Sequence, residues 1–185
     1  MLKDLLEKDY LERFGITSDA KADVASGPSS VFDLDDMPSP IRCLPEGQGK
    51  VTFENGTYGE IEIVAYEHFV DQCMKPRSFL RGRKRCDYLL LHPDSAGYII
   101  LLEITSALGT NDSLTKSTAE YPGGKYEKVE HQLFNSLRDL LSVPAIEAKA
   151  KTMQHRICLM GYKIHPHTDP TYLKTHPYAR YLSIE

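Results

Sequence analysis

Several features that mark out protein classes are missing from this 185-residue chain. No apolar run approaches the roughly 18 residues of a membrane span. The four cysteines, Cys43, Cys73, Cys86 and Cys158, include no C-x-x-C pair. A chain of this length buries enough apolar surface to fold without disulfide staples. The stretch MLKDLLEKDYLERFG contains no uninterrupted apolar segment of the kind that directs secretion. A cytoplasmic location with free thiols is the resulting expectation. Positive charge is also scarce, with 22 Lys and Arg against 26 Asp and Glu and a formal net charge of -4. That balance argues against a non-specific nucleic-acid coat protein. It leaves room for a site with only a local basic lining. Neither a G-x-x-x-x-G-K-[ST] phosphate loop nor a G-x-S-x-G nucleophile elbow occurs.

What is present reads as one α/β or α+β domain spanning residues 1–185. Leu2, Leu5, Leu6, Tyr10 and Phe14 recur at helical spacing, which predicts a core-docked helix over 2–14. Residues 20–48 are rich in Asp, Ser, Pro and Gly and predict a long loop or arm, with DLDD at 33–36 as solvated surface. KVTFE, Asn55-Gly56 and TYGEIEIVAY predict a hairpin over 50–66. A short helix is expected over 67–75. CDYLLLH and YIILLEIT, joined by PDSAG, are apolar on both faces, the pattern of central strands covered on each side. Helices are expected to supply that cover. Val129, Leu133, Leu137, Leu140 and Leu141 form the apolar stripe of a helix over 125–141. A short helix at 145–154, a strand at 156–163 and a last strand at 180–184 complete the reading.

The second hairpin carries a carboxylate pair. A turn centred near Ser95 places Asp87 opposite Glu103, and directly opposed residues share a face with Cβ atoms roughly 4.5–5.5 Å apart. Thr105 lies on Glu103's side by the period of two. Leu89, Leu91, Ile99 and Leu101 make that face apolar. Two carboxylates there repel and lose hydration, so something must compensate. A divalent cation, Mg2+ or Mn2+, does so through oxygen ligands. The plainer alternative is that Asp87 caps a turn or meets an arginine, and that Glu103 pairs with Lys125.

Just upstream, RSFLRGRKR supplies Arg81, Arg83, Lys84 and Arg85, candidates to contact phosphates; the plainer alternative is a solvated charged loop. On the helix over 125–141, Lys125, Lys128, Gln132 and Asn135 are candidates to face a cleft, and an ordinary surface helix would look the same. A zinc site from His68, Cys73 and Cys86 has no usual spacing behind it.

From about residue 60 to 163 the chain resembles the PD-(D/E)XK nuclease superfamily, whose members share a restriction-endonuclease-like mixed sheet flanked by helices. Cys86-Asp87 stands in the "PD" place and Glu103-Ile104-Thr105 in the "(D/E)XK" place. The resemblance implies a Mg2+- or Mn2+-dependent nuclease, cleaving DNA ahead of RNA. It implies Asp87 and Glu103 as metal ligands, Gln132 as the helix residue and Glu67 as the upstream acid. The family's lysine is replaced by Thr105, whose hydroxyl carries no charge. Lys125 or Lys128 would then have to stand in for it, or the domain binds nucleic acid as an inactive accessory module. A protein partner or a homodimer is compatible with either.

Overall fold

The two doubly apolar segments lie in the middle of a six-stranded mixed sheet. The structure, a computed structural model, describes residues 1–17, 19–28, 30–36, 40–55, 59–73, 84–94, 97–105, 114–162 and 181–183. Its strands are β1 Val24–Gly27, β2 Val31–Leu34, β3 Val51–Glu54, β4 Ile61–Ala65, β5 Tyr88–Leu91, β6 Tyr98–Thr105, β7 His155–Tyr162 and β8 Tyr181–Ser183. Helix α1 is built from an α turn Leu2–Asp4, a π-helical stretch Leu5–Tyr10 and an α turn Leu11–Arg13. It is followed by α2 Tyr66–Cys73, α3 Gly124–Leu141 and α4 Pro144–Thr152. The sheet order is β1-β4-β5-β6-β7-β8, and β2 and β3 form a separate ribbon. All pairs are antiparallel except β6 with β7. Parallel neighbours need a long crossover, and α3 and α4 supply it.

The covering of the central strands explains their composition. On one face Leu89, Leu91, Ile99 and Leu101 pack against Leu6, Val129, Leu133 and Leu140 of the helices. On the other, Leu90, Ile100, Leu102 and Ile104 pack with Phe32 and Leu34 of the ribbon. The sequence led us to expect helices on both faces. Among the described residues the second cover is the β2–β3 ribbon instead, which presents the same kind of apolar face. Gly161 permits its close approach, because a Cβ there would lie 2.3 Å from Val51 Cγ2.

Two local expectations are corrected. The segment 20–48 is not a plain arm, since it contains β1 and β2. Nor do β3 and β4 form a hairpin: β3 pairs with β2, while β4 lies between β1 and β5. Asn55 is 2 % exposed, and its amide donates to the carbonyls of Pro28 and Gly59 and accepts from Tyr98 Oη. It ties three segments together rather than turning an isolated ribbon. Glu62 of β4 accepts the Leu2 and Lys3 amides at 2.8 and 2.9 Å. It therefore satisfies free N–H groups at the start of α1, whose Leu2, Leu6 and Tyr10 are buried.

Helix α3 begins at Gly124, which has φ +75 and whose Cβ would meet Thr115 carbonyl carbon at 2.6 Å. Its buried side contains the apolar residues Val129, Leu133 and Leu140, but also Gln132, Ser136 and Asp139. Pro144 opens α4 at a position where its missing N–H costs nothing. No helix among the described residues is long and apolar enough to cross a membrane.

Candidate active site

Strand register brings the two carboxylates together. Tyr88 pairs with Leu102 and Leu89 with Leu101, so the same register puts Asp87, one residue before β5, beside Glu103. The antiparallel arrangement expected from the sequence is the one found; Ser95 at the turn lies outside the described residues. Asp87 Oδ2 accepts the Ile104 amide at 2.6 Å, which fixes the carboxyl across the strand pair. Its backbone carbonyl accepts the amides of Tyr66, at 2.8 Å, and Glu67, at 3.4 Å. The first turn of α2, and with it Glu67, is thereby anchored to the residue that begins the site.

Helix α3 is clamped to the same place by a buried polar network. Gln132 Nε2 donates to the Arg85 carbonyl at 2.9 Å, and the Cys86 amide donates to Ser136 Oγ at 2.8 Å. Ser136 Oγ in turn donates to the Gln132 carbonyl. The Arg85 guanidinium forms an ion pair with Asp139, and both side chains are buried. The residues just before Asp87 are thus fixed to the helix that carries Gln132.

A cavity of about 160 Å³ opens at this junction, lined by Asp36, Glu67, Lys84, Asp87, Glu103, Ile104, Thr105, Lys125, Lys128 and Gln132. Every residue read from the sequence as catalytic is among them. Among the described residues of the basic stretch, Lys84 lines it and Arg85 does not. Arg85 is corrected: it is fully buried against Asp139 and has no route to a phosphate, because an arginine at that depth needs its counter-charge inside the protein. Arg81 and Arg83 lie outside the described residues. Asp36, read as plain surface, also lines the cavity and meets Lys50 at 3.4 Å. Only the acidic run DLDD hinted at it, and nothing local says that the segment after β2 folds over the end of β5. Ser136 and Asp139 were likewise unforeseen, since their polarity hid the fact that they face inward.

The electrostatics follow from burial. The Glu103 carboxyl is pushed up to about 9 by burial and then by the neighbouring charges of Asp87 and Glu67, with Lys128 and a hydrogen bond from Gln132 acting the other way. Asp87 is pushed up to about 7, again chiefly by burial, against the pull of the Ile104 amide. Glu67 is raised as well, by burial and by Asp71. Two carboxyls in this setting hold a proton between them unless a cation takes its place.

The donor set fits a hard cation. Glu103 Oε2 and Gln132 Oε1 are buried with no hydrogen-bond partner among the described residues. Oxygen atoms of carboxylate and amide suit Mg2+ and Mn2+, which usually bind through one or two carboxylates and complete their shell with water and phosphate. Among the described residues no group of three or more His, Cys, Asp and Glu side chains is placed to hold a metal ion, so His68, Cys73 and Cys86 form no zinc cluster there. No family model matches the chain, and neither a curated protein nor a solved structure matches it.

Proposed function

We propose that this chain is a metal-dependent nuclease that hydrolyses phosphodiester bonds, in DNA ahead of RNA. The observation that carries the reading is the Asp87–Glu103 pair, raised by burial and set in a cavity that Lys84, Lys125 and Lys128 also line. Asp87 and Glu103 are the residues that would hold Mg2+ or Mn2+. Such an ion, when bound, polarises a phosphodiester and activates a water. The three lysines offset phosphate charge at the cavity. The charge of Lys128 acts on Asp87, Glu103 and Glu67 alike, which supports it as the substitute for the lysine that Thr105 replaces. Glu67 adds a third carboxyl with a raised proton affinity, suited to exchanging a proton with water.

Thr105 also supports a second reading. It occupies the motif's lysine position, buried and uncharged, so the fold could bind nucleic acid without cutting it. The experiment is incubation of supercoiled plasmid and single-stranded oligonucleotides with Mg2+, Mn2+ or chelator. The nuclease reading expects metal-dependent cleavage that disappears in Glu103→Gln. Binding without cleavage under every condition would overturn it in favour of the accessory module.

A further inference from the structure

Gln132 has one amide end that the protein uses and one that it leaves over. The Arg85 carbonyl can only accept, so the NH2 end of the amide must face it, and the orientation of the side chain is settled by chemistry. Arg85 is itself immobilised by Asp139, and Cys86 by Ser136. The amide oxygen, Oε1, is then the free end. It is buried, on a residue only 3 % exposed, with no hydrogen-bond partner among the described residues. An amide oxygen left this way is costly unless a water, a proton or a cation meets it. Gln132 also touches the Glu103 carboxyl, whose Oε2 is the other buried oxygen of the cavity without a partner.

We infer that Gln132 supplies its side-chain carbonyl as a third oxygen ligand to the cation held by Asp87 and Glu103. The inference rests on the metal-site reading above and extends it to a neutral ligand. A neutral oxygen adds coordination without adding repulsion to a site that already has too much negative charge. It also explains why a glutamine is buried on the core face of α3, where an apolar residue would cost less. The Arg85 clamp is a positioning device in this arrangement: it holds the NH2 end in place and leaves the oxygen without a partner among the described residues.

The test uses metal binding rather than cleavage. Gln132→Met keeps length and volume but replaces the hard carbonyl by a soft thioether, which disfavours Mn2+ and tolerates Cd2+. Mn2+ binding is read from the loss of the free-ion electron paramagnetic resonance signal, and Cd2+ binding by calorimetry. Melting of the metal-free variant shows that it is folded. The expected result is a loss of Mn2+ affinity of about tenfold or more, with Cd2+ affinity falling much less. Equal losses for the two ions, or none, overturn the inference while leaving the carboxylate site intact. A wild type that binds neither ion overturns the metal-site reading itself. Should Gln132→Met fail to fold, wild type labelled with 13C at the glutamine side-chain carbonyls decides: a carbonyl ligand predicts a shifted amide carbonyl band in the infrared difference spectrum on Mg2+ binding, and an unshifted band in a protein that binds the ion refutes it.

Discussion

Replacing Asp87 by asparagine separates the two ways in which the buried carboxyl pair can be neutralised. Asparagine keeps an oxygen able to accept the Ile104 amide, which now sits 2.6 Å from Asp87 Oδ2, so the local geometry should survive. Without metal, both native carboxyls are raised, and the folded chain keeps protons that the unfolded chain has released. That contribution to stability is fully present below the ordinary carboxylate range, about pH 4. It is lost as pH rises through about 7 for Asp87 and about 9 for Glu103. Each retained proton is worth about 1.4 kcal/mol per pH unit. At about pH 8 the metal-free D87N protein should therefore exceed wild type by up to about 4 kcal/mol, the three pH units between about 4 and about 7 for Asp87, a Tm higher by up to roughly 8–16 °C for a chain of this size. With Mn2+ at about 100 times its Kd, wild type should gain about 2.7 kcal/mol, or roughly 5–10 °C, and D87N nothing. The assay is thermal melting of both proteins at two pH values with and without the ion. The reasoning is refuted by a wild type indifferent to Mg2+ and Mn2+ at millimolar concentration. It is equally refuted by a D87N protein less stable than wild type at every pH, which would make Asp87 a structural cap.

The same sign gives a second expectation: metal-free wild type should melt progressively lower between about pH 5 and pH 9, and Mn2+ should flatten that slope because it replaces the protons. Asp139→Ala, which strands the Arg85 charge in the interior, should cost about 3–5 kcal/mol in denaturant unfolding; a loss under about 1 kcal/mol would show that the pair is solvated. Gly161→Ala should cost about 1–3 kcal/mol by pushing the ribbon off the sheet, and an unchanged denaturation midpoint would show that Val51 yields freely. Neutralising Lys84 and Lys128 together should weaken nucleic-acid binding and reduce the slope of log K against log salt by about 2; an unchanged slope in titration would remove both from the phosphate contacts.

The sequence by itself determined the elements whose information is local. The short PDSAG segment between the two apolar strands indicated the register that opposes Asp87 and Glu103, because in a hairpin the loop length sets which residues face each other. The stripe from Val129 to Leu140 likewise specified α3 and put Gln132 and Lys128 within reach of that pair. Tertiary structure decided what depends on distant partners. Asn55-Gly56 reads as a turn, yet Asn55 is held by Pro28, Gly59 and Tyr98, and β3 takes β2 as its neighbour instead of β4. Arg85 belongs to a basic run, yet its charge is matched by Asp139, 54 residues away, so it is drawn into the core while Lys84 beside it lines the cavity. Asp36 enters the site only because the ribbon folds across the sheet. Periodicity records which face a residue prefers, but an ion pair or a hydrogen bond between remote segments can reverse that preference, since a buried polar group is stable only where the fold supplies its partner.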